Sequence, residues 1–434
     1  MDWLIPDSPD RLASMIAERT DRDGPLLATG APAPSGPDQR RPDPVRPEDE
    51  DVAVVSTAGL ETAIDLRARD LTVSVGAGAR VADLRASLAE EGLWLALGGA
   101  SLRRSVGGAV AAASPGPWDA SYGDLARQLL SCSLVTWRGT SVRWGRAVMK
   151  DVAGYGTTRA AAGSFGRLGV LHRAVFRVWP APASAAAVEL GSRRDDALAA
   201  AGRLAASDLD ARVRPDALRW FRDADADGGD GRLEAWLIGS AASVDDRRDR
   251  LAEAADQLGV EPRGTRTGFD PAGDGASGSA DEGERRTRIS VAVLRPGREA
   301  FAPAARRAAE ALGGAAAGLT GYPLQGVLRC AYRRRSASGE EEEEEEQRGQ
   351  PGGEKDGAAG AEEAGRAAGG SAAAPEPLAR LLAATGEIPV RIERGSAAEL
   401  AAVEARRPDA ARRLERRVVE ALEGRPRHWL SGYL

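Results

Sequence analysis

At 434 residues the chain is longer than a single core of about 150–250 residues requires, so two domains are expected. Its 42% hydrophobic and 29% charged residues give a globular profile. Its two cysteines (Cys132, Cys330) and two histidines (His172, His428) exclude a disulfide framework, a multi-cysteine zinc or iron–sulfur centre and a His-rich metal site. The net charge of −6 is local, because residues 336–377 hold twelve acids against three bases, a balance of −9; the rest carries about +3 and shows no basic stripe with interleaved aromatics for nucleic acid.

The chain opens Met1-Asp2-Trp3-Leu4-Ile5-Pro6-Asp7, without the basic and apolar stretches of a signal peptide, and no run of 18 apolar residues follows. A soluble, cytoplasmic protein without a membrane span is expected. Ser8-Pro9 starts a short amphipathic helix to Ile16, with Ser as cap and Pro at the first helical position. Residues 26–29 read as a strand ending at Gly30, and 31–50 are Pro-rich and charged, without periodicity. A strand at 71–75 ends in Gly76-Ala77-Gly78, and a helix at 81–91 places Val81, Leu84 and Leu88 on one face. Residues 129–137 and 141–144 read as strands turned by Arg138-Gly139. Residues 170–179 alternate as a strand that Pro180 ends.

After Pro180 the composition shifts. Strands are expected at 185–190, 218–221, 233–238, 289–294 and 324–332, and helices at 195–207, 244–258 and 301–312. That order predicts an α+β unit on an antiparallel sheet. Residues 270–286 read as a polar loop. Residues 336–377 lack Val, Ile, Leu, Met and aromatic residues and contain seven consecutive glutamates, Glu340 to Glu346, so the segment is expected to be a disordered insertion. Two helical patterns, 397–404 and 410–422, follow.

Four Gly-rich sites lie within the first 170 residues: Gly76-Ala77-Gly78, Gly98-Gly99, Ser105-Val106-Gly107-Gly108-Ala109, and Gly163-Ser164-Phe165-Gly166-Arg167-Leu168-Gly169-Val170. Glycine admits positive φ and close backbone approach, and successive exposed N–H groups suit a pyrophosphate. The set points to a large phosphate-bearing cofactor. It is not a Rossmann fingerprint: Val81 stands at the third glycine position, and Leu97-Gly98-Gly99 stands where the acidic residue belongs. No Gly-x4-Gly-Lys-Ser/Thr occurs either.

The stretch Val148-Met149-Lys150-Asp151-Val152-Ala153-Gly154-Tyr155, followed by Gly163 to Leu171, closely resembles the FAD-linked oxidases with a vanillyl-alcohol-oxidase-type (PCMH) flavin domain, and among them the FAD-binding subunits of bacterial glycolate oxidases. Ser105 to Ala111 looks like that family's second FAD loop, Tyr122-Gly123-Asp124 like its Tyr-Gly-Asp step, and Leu71 to Gly78 like the strand and turn that open its second subdomain. The resemblance covers residues 3–182 and is faint beyond. It implies an α+β architecture: a two-subdomain PCMH-type FAD-binding domain at 1–182, then an α+β cap domain at 183–335, the acidic insertion at 336–377, and a C-terminal helical part of the cap at 378–434.

By the same resemblance, Val106, Gly107 and Gly108 would follow the FAD pyrophosphate and ribityl chain, with Ser105 among the cofactor-binding residues. Gly163, Phe165, Gly166, Gly169 and Val170 would line the adenine and ribityl side, and Gly76 and Gly78 would turn near the adenine. Gly30, Gly123, Lys150 and Tyr155 complete the expected cofactor-binding set. The chain departs from the family in its first phosphate loop, where Gly30-Ala31-Pro32-Ala33-Pro34-Ser35-Gly36 stands: proline has no N–H to donate, and no His is present for covalent attachment, so any FAD is expected to be non-covalent. The Asn-Pro-Gly-Arg signature near the family's C-terminus is also missing. No catalytic base or substrate clamp stands out, with only His172 and His428 on offer.

The resemblance implies an FAD-dependent oxidoreductase acting on CH–OH groups. The favoured form is the FAD-binding subunit of a glycolate-type 2-hydroxy-acid oxidase complex, with a second flavin subunit and an iron–sulfur subunit as partners and any inner-membrane association made through them. A stand-alone FAD-linked oxidoreductase with another substrate and a cofactor-free structural subunit stay open as alternatives.

Overall fold

The computed structural model describes residues 2–20, 26–30, 53–60, 62–97, 104–146, 157–192, 197–210, 212–223, 231–268, 289–333 and 376–394, together with 399, 402–403 and 406. The polar loop at 270–286, nearly all of the acidic segment, the pattern at 410–422, Lys150, Tyr155 and His428 lie outside them.

The first half holds two larger sheets and a two-stranded one. Strand β1 (Asp2–Leu4), helix α1 (Pro9–Thr20), β2 (Leu26–Thr29) and β3 (Ala53–Ser56) come first; the strands pair in parallel, in the order β1-β3-β2. Ser8 caps α1 by accepting the Arg11 N–H at 3.3 Å, and Leu12 and Ile16, four apart, bury one helix face completely. Next come β4 (Ile64–Arg67), β5 (Thr72–Gly76), α2 (Val81–Glu90), β6 (Leu93–Trp94), α3 (Val106–Ala112) and the single turns α4 (Asp119–Tyr122) and α5 (Leu125–Gln128). Then β7 (Leu129–Val135), β8 (Ser141–Gly145), α6 (Thr157–Ala161), β9 (Val170–Arg177) and β10 (Trp179–Pro180) close this half. Strands β4, β5, β9, β7 and β8 form an antiparallel sheet in that order, and β10 pairs with β6. Val81, Leu84 and Leu88 of α2 are fully buried, as their spacing predicts.

The second half is one eight-stranded antiparallel sheet. Its elements are β11 (Ser184–Ser192), α7 (Ala197–Ala206), β12 (Ala217–Asp223), β13 (Arg232–Gly239), α8 (Ala241–Gln257), β14 (Val260–Thr267), β15 (Ile289–Leu294), α9 (Phe301–Leu312), β16 (Ala316–Tyr322), β17 (Val327–Arg333), α10 (Glu376–Thr385) and β18 (Val390–Arg394). The strands run in the order β14-β11-β13-β12-β16-β17-β15-β18. Side chains alternate across a strand, so Leu233, Ala235 and Leu237 meet the helical layer while Trp236 and Ile238 face the other way. That second face, with Ala185, Ala187 and Ala217, packs on Trp94 and Trp118 of the first half.

Several elements differ from expectation. The segment from 378 onward was expected to be helical, but after α10 it supplies β18, which pairs with β15 as an edge strand. The expected strand at 324–332 begins only at Val327, because Pro323–Gln325 is a 3-10 turn. Strands β1, β3, β4, β14 and β16 were not anticipated. No helix among the described residues is long and apolar enough to cross a membrane.

Candidate functional site

A cavity of about 560 Å³, counting its open mouth, lies where the three-stranded sheet meets the five-stranded one. One wall comes from the end of β2 and the turn after β3: Ala28, Thr29, Gly30 and Thr57. A second comes from α3: Gly107, Gly108, Val110 and Ala111. The third is residues 164–171, backed by Leu134 and Ala161.

Each wall has a local cause. Thr57 Oγ1 donates to the Thr29 carbonyl at 3.1 Å, which ties the turn to the end of β2. Gly30 lies against Ser105, whose Cβ would be 2.9 Å from a Cβ placed on Gly30; only glycine lets the two halves approach here. Ser105 caps α3, its Oγ accepting the Gly108 N–H at 3.1 Å. The third wall is held to α3 by the Gly163 N–H on the Val110 carbonyl (3.0 Å) and the Phe165 N–H on the Ala111 carbonyl (2.9 Å). Trp137 Nε1 donates to the Gly166 carbonyl at 2.9 Å and fixes it from behind. This wall needs left-handed backbone at Gly163 (φ 76°), Phe165 (φ 52°) and Gly166 (φ 75°).

The N–H groups expected to hold a pyrophosphate are used inside the protein. Val106 donates to the Ala79 carbonyl at 2.8 Å, Gly107 to the Ala77 carbonyl at 2.9 Å, and Gly108 to Ser105. The glycines of α3 therefore serve close packing, since a Cβ on Gly107 would lie 3.0 Å from the Ala77 Cβ. What the cavity presents is mostly apolar wall with the hydroxyl-bearing Thr29, Thr57 and Ser164. A Cβ built on Gly166 would meet nothing within 4 Å, so the backbone there borders open space.

Of the residues singled out in the sequence, Gly30, Gly107, Gly108, Phe165, Gly166, Gly169 and Val170 line the cavity. Gly76, Gly78, Ser105, Val106, Gly123 and Gly163 are not among its lining residues. Gly76 pairs with Arg173 inside the sheet. A Cβ on Gly78 would lie 2.7 Å from the Thr57 carbonyl oxygen, so Gly78 packs behind the first wall. Gly123 (φ 81°) ends α4. Sequence reasoning missed Thr29, Thr57, Leu134 and the supporting Trp137; the run Ala53-Val54-Val55-Ser56-Thr57, an apolar strand ending in hydroxyls, was the available signal for Thr57. Among the described residues, none that lines the cavity carries a titratable side chain. His172 lies on β9, half-buried, its carbonyl accepting the Ala77 N–H at 2.9 Å.

The titratable groups that are perturbed lie elsewhere. Asp119, at the junction of the two halves, has its carboxyl pushed up to about 7 by burial, an effect that Asp124 reinforces and the Gly116 N–H and Arg295 oppose. Burial raises the Cys132 thiol to about 12.

Among known families, the one described as FAD binding domain matches residues 4–145. Glycolate oxidase subunit GlcE of Escherichia coli (strain K12) is 40% identical over 79 residues, 18% of this chain and 22% of that protein. The "Probable D-lactate dehydrogenase, mitochondrial" of Danio rerio is 31% identical over 129 residues, 29% of this chain and 26% of that protein. Glycolate oxidase subunit GlcD of Bacillus subtilis (strain 168) is 29% identical over 120 residues, 27% of this chain and 26% of that protein. The chain thus spans about a quarter of each of these relatives. A solved structure of alkyldihydroxyacetonephosphate synthase shares the fold with a TM-score of 0.55 at 14% identity, over 79% of this chain and 69% of that one. Two of the cavity's three walls, the end of β2 with the turn after β3 and helix α3, fall within residues 4–145, the part of the chain that the FAD binding domain family matches.

Proposed function

We propose that this chain is the FAD-binding component of a 2-hydroxy-acid oxidase or dehydrogenase of the glycolate type, taking electrons on its flavin and handing them to a partner subunit. The observation that carries the reading is the cavity: a glycine-edged, apolar slot at the junction of two sheets, inside or next to the matched FAD binding domain. Similarity to GlcE, GlcD and a D-lactate dehydrogenase supports the substrate class.

Bound FAD would supply hydride acceptance, the chemistry that amino-acid side chains lack. The chain's own residues bind, orient and exclude water. Gly108 and Gly166 let a ring approach the backbone, Thr29, Thr57 and Ser164 offer hydroxyl hydrogen bonds, and Phe165, Leu134 and Leu168 keep the slot dry. Lys150, Tyr155 and the remaining glycines of the motif belong to the same proposed contact set. Binding is non-covalent in this reading, because the first loop, Gly30 to Gly36, holds no His to form the link. The described lining residues carry no titratable side chain, and the reading places the base for the substrate's hydroxyl proton outside them, in a cytoplasmic complex of this chain, a second flavin subunit and an iron–sulfur subunit.

A second reading has its own observation. The N–H groups of Val106, Gly107 and Gly108 all bond within the protein, and the loop after Gly30 is rich in proline, which favours a structural subunit without cofactor. The absorption spectrum of the purified chain separates the two. Flavin bands with near-stoichiometric FAD released on denaturation support the first reading. No flavin after soaking in FAD leaves the second.

A further inference from the structure

Strand β18 carries the clearest connection between the cap sheet and the cavity. Its Ile392 faces the helical layer, so the neighbouring Arg391 lies on the opposite face. The guanidinium reaches two places at once. Nη2 lies 3.4 Å from the carbonyl oxygen of Ala113, the residue that ends α3. Its Cζ lies 5.1 Å from the centroid of the Phe165 ring, within cation–π range. A Cβ on Gly163 would come 3.2 Å from Nη1.

The backbone around this guanidinium is unusual. Ala113 (φ 41°) and Phe165 (φ 52°) are both left-handed, and among the described residues only Leu71 shares that state without being glycine. For a residue with a Cβ this state is strained, and it persists only where its surroundings over-determine it. The Phe165 N–H is anchored to α3, and Phe165 itself lines the cavity.

We infer that Arg391 is a positioning residue for the cofactor: it holds Phe165 and the end of α3 in the arrangement that forms the cavity wall, and so couples the edge of the cap sheet to FAD binding. The inference rests on the FAD reading of the cavity. By linkage, if Arg391 favours the binding-competent wall, then FAD in turn favours the docked β18 by the same factor.

The test is FAD titration of the full chain, followed by flavin fluorescence and by the induced circular dichroism of the bound flavin, with hydrogen exchange across 390–394. Arg391→Met keeps the aliphatic length and removes the charge and N–H groups; Arg391→Lys keeps the charge and loses the planar fork. The expected result is a Kd raised about tenfold in R391M and less in R391K, with altered induced dichroism in R391M. FAD should slow exchange at 390–394 in the wild type and leave it unchanged in R391M. A Kd within twofold of wild type together with an unchanged dichroism spectrum overturns the inference, because a purely structural residue would lower the melting temperature without touching the flavin signal. Should R391M fail to fold, R391K and Phe165→Leu carry the test: their effects on Kd are expected to be non-additive in the double variant, and additivity counts against the coupling. A wild-type chain that binds no FAD overturns the proposed function itself, a result distinct from an altered variant beside a binding wild type.

Discussion

Gly166 and Gly169 sit three residues apart on one wall of the cavity, and the structure gives them opposite roles. Both have positive φ, 75° and 138°. A Cβ on Gly166 would meet nothing within 4 Å, whereas one on Gly169 would collide with the Val135 carbonyl oxygen and come 2.8 Å from the Thr136 Cα. Gly166→Ala therefore carries only the left-handed cost, about 1–2 kcal/mol. Gly169→Ala carries the same cost plus overpacking against backbone that cannot move aside, about 1–3 kcal/mol more. For a domain of 150–250 residues about 1 kcal/mol corresponds to 2–4 °C in Tm. The expected falls are thus about 2–8 °C for G166A and about 4–20 °C for G169A, with G169A always the larger. Gly166→Leu separates stability from binding: its side chain enters the open space, so the melting temperature should stay near that of G166A while FAD uptake falls steeply. Thermal melts of the apo proteins and FAD titrations at 15 °C measure the two quantities. Equal Tm values for G166A and G169A, or undiminished FAD uptake by G166L, would refute this division of labour.

Other expectations follow from the same contacts. Gly108→Trp, in the α3 wall, should abolish flavin retention while leaving the far-UV dichroism unchanged; a variant that keeps its flavin places the cofactor elsewhere. Trp118 is fully buried edge-on between Trp94 and Trp236, so Trp118→Ala should cost about 3–5 kcal/mol in denaturant unfolding, or split one transition into two as the halves uncouple. Asp119, with its carboxyl raised to about 7, holds its proton in the folded state where the unfolded chain has released it. Stability is therefore expected to fall as pH rises from about 4 to 7, a dependence that Asp119→Asn flattens, as melts across that range would register. Ser105→Ala removes the cap of α3 and should cost about 1 kcal/mol of stability, read from urea unfolding.

What the sequence made legible depended on whether an element's residues carry a one-sided pattern. Helices α2, α8 and α9 bury apolar residues at helical spacing and were readable; β9 was read as an alternating strand, although Ala174, Val175 and Phe176 are all buried. Strand β14, Val-Glu-Pro-Arg-Gly-Thr-Arg-Thr, is exposed along seven of its eight residues and gives no period-2 signal. Strand β16 contains Gly318 and Gly321, which read as loop; yet Gly321 is required, because the Phe301 ring occupies the place of its Cβ, 2.7 Å from Cε2. In the parallel β1-β3-β2 sheet only β2 was read; β1 and β3, three and four residues long and paired at long range, give no signal to a local window. At the cavity, the motif from Gly163 to Val170 marked the third wall well. Spacing could not tell whether the Gly107 N–H points at a ligand or at Ala77, since glycine serves both purposes.

The two halves are joined in a way that constrains how the cavity is reached. At one end of the junction five aromatic rings, Trp94, Trp118, Tyr122, Trp179 and Trp236, stack edge to face. At another, Gln325 donates to the carbonyls of Gly116 and Pro117, and Arg391 reaches Ala113. Separating the halves would expose the side of Trp118 that meets Trp236, together with Trp236, Ala185, Ala187 and Ala217, at about 25 cal/mol for each Å² of apolar surface returned to water. A hinge opening along this junction is thus disfavoured. The cavity is lined by residues of the first half and needs no such opening. Phe165 is on its lining, so the coupling inferred for Arg391 acts without the halves separating.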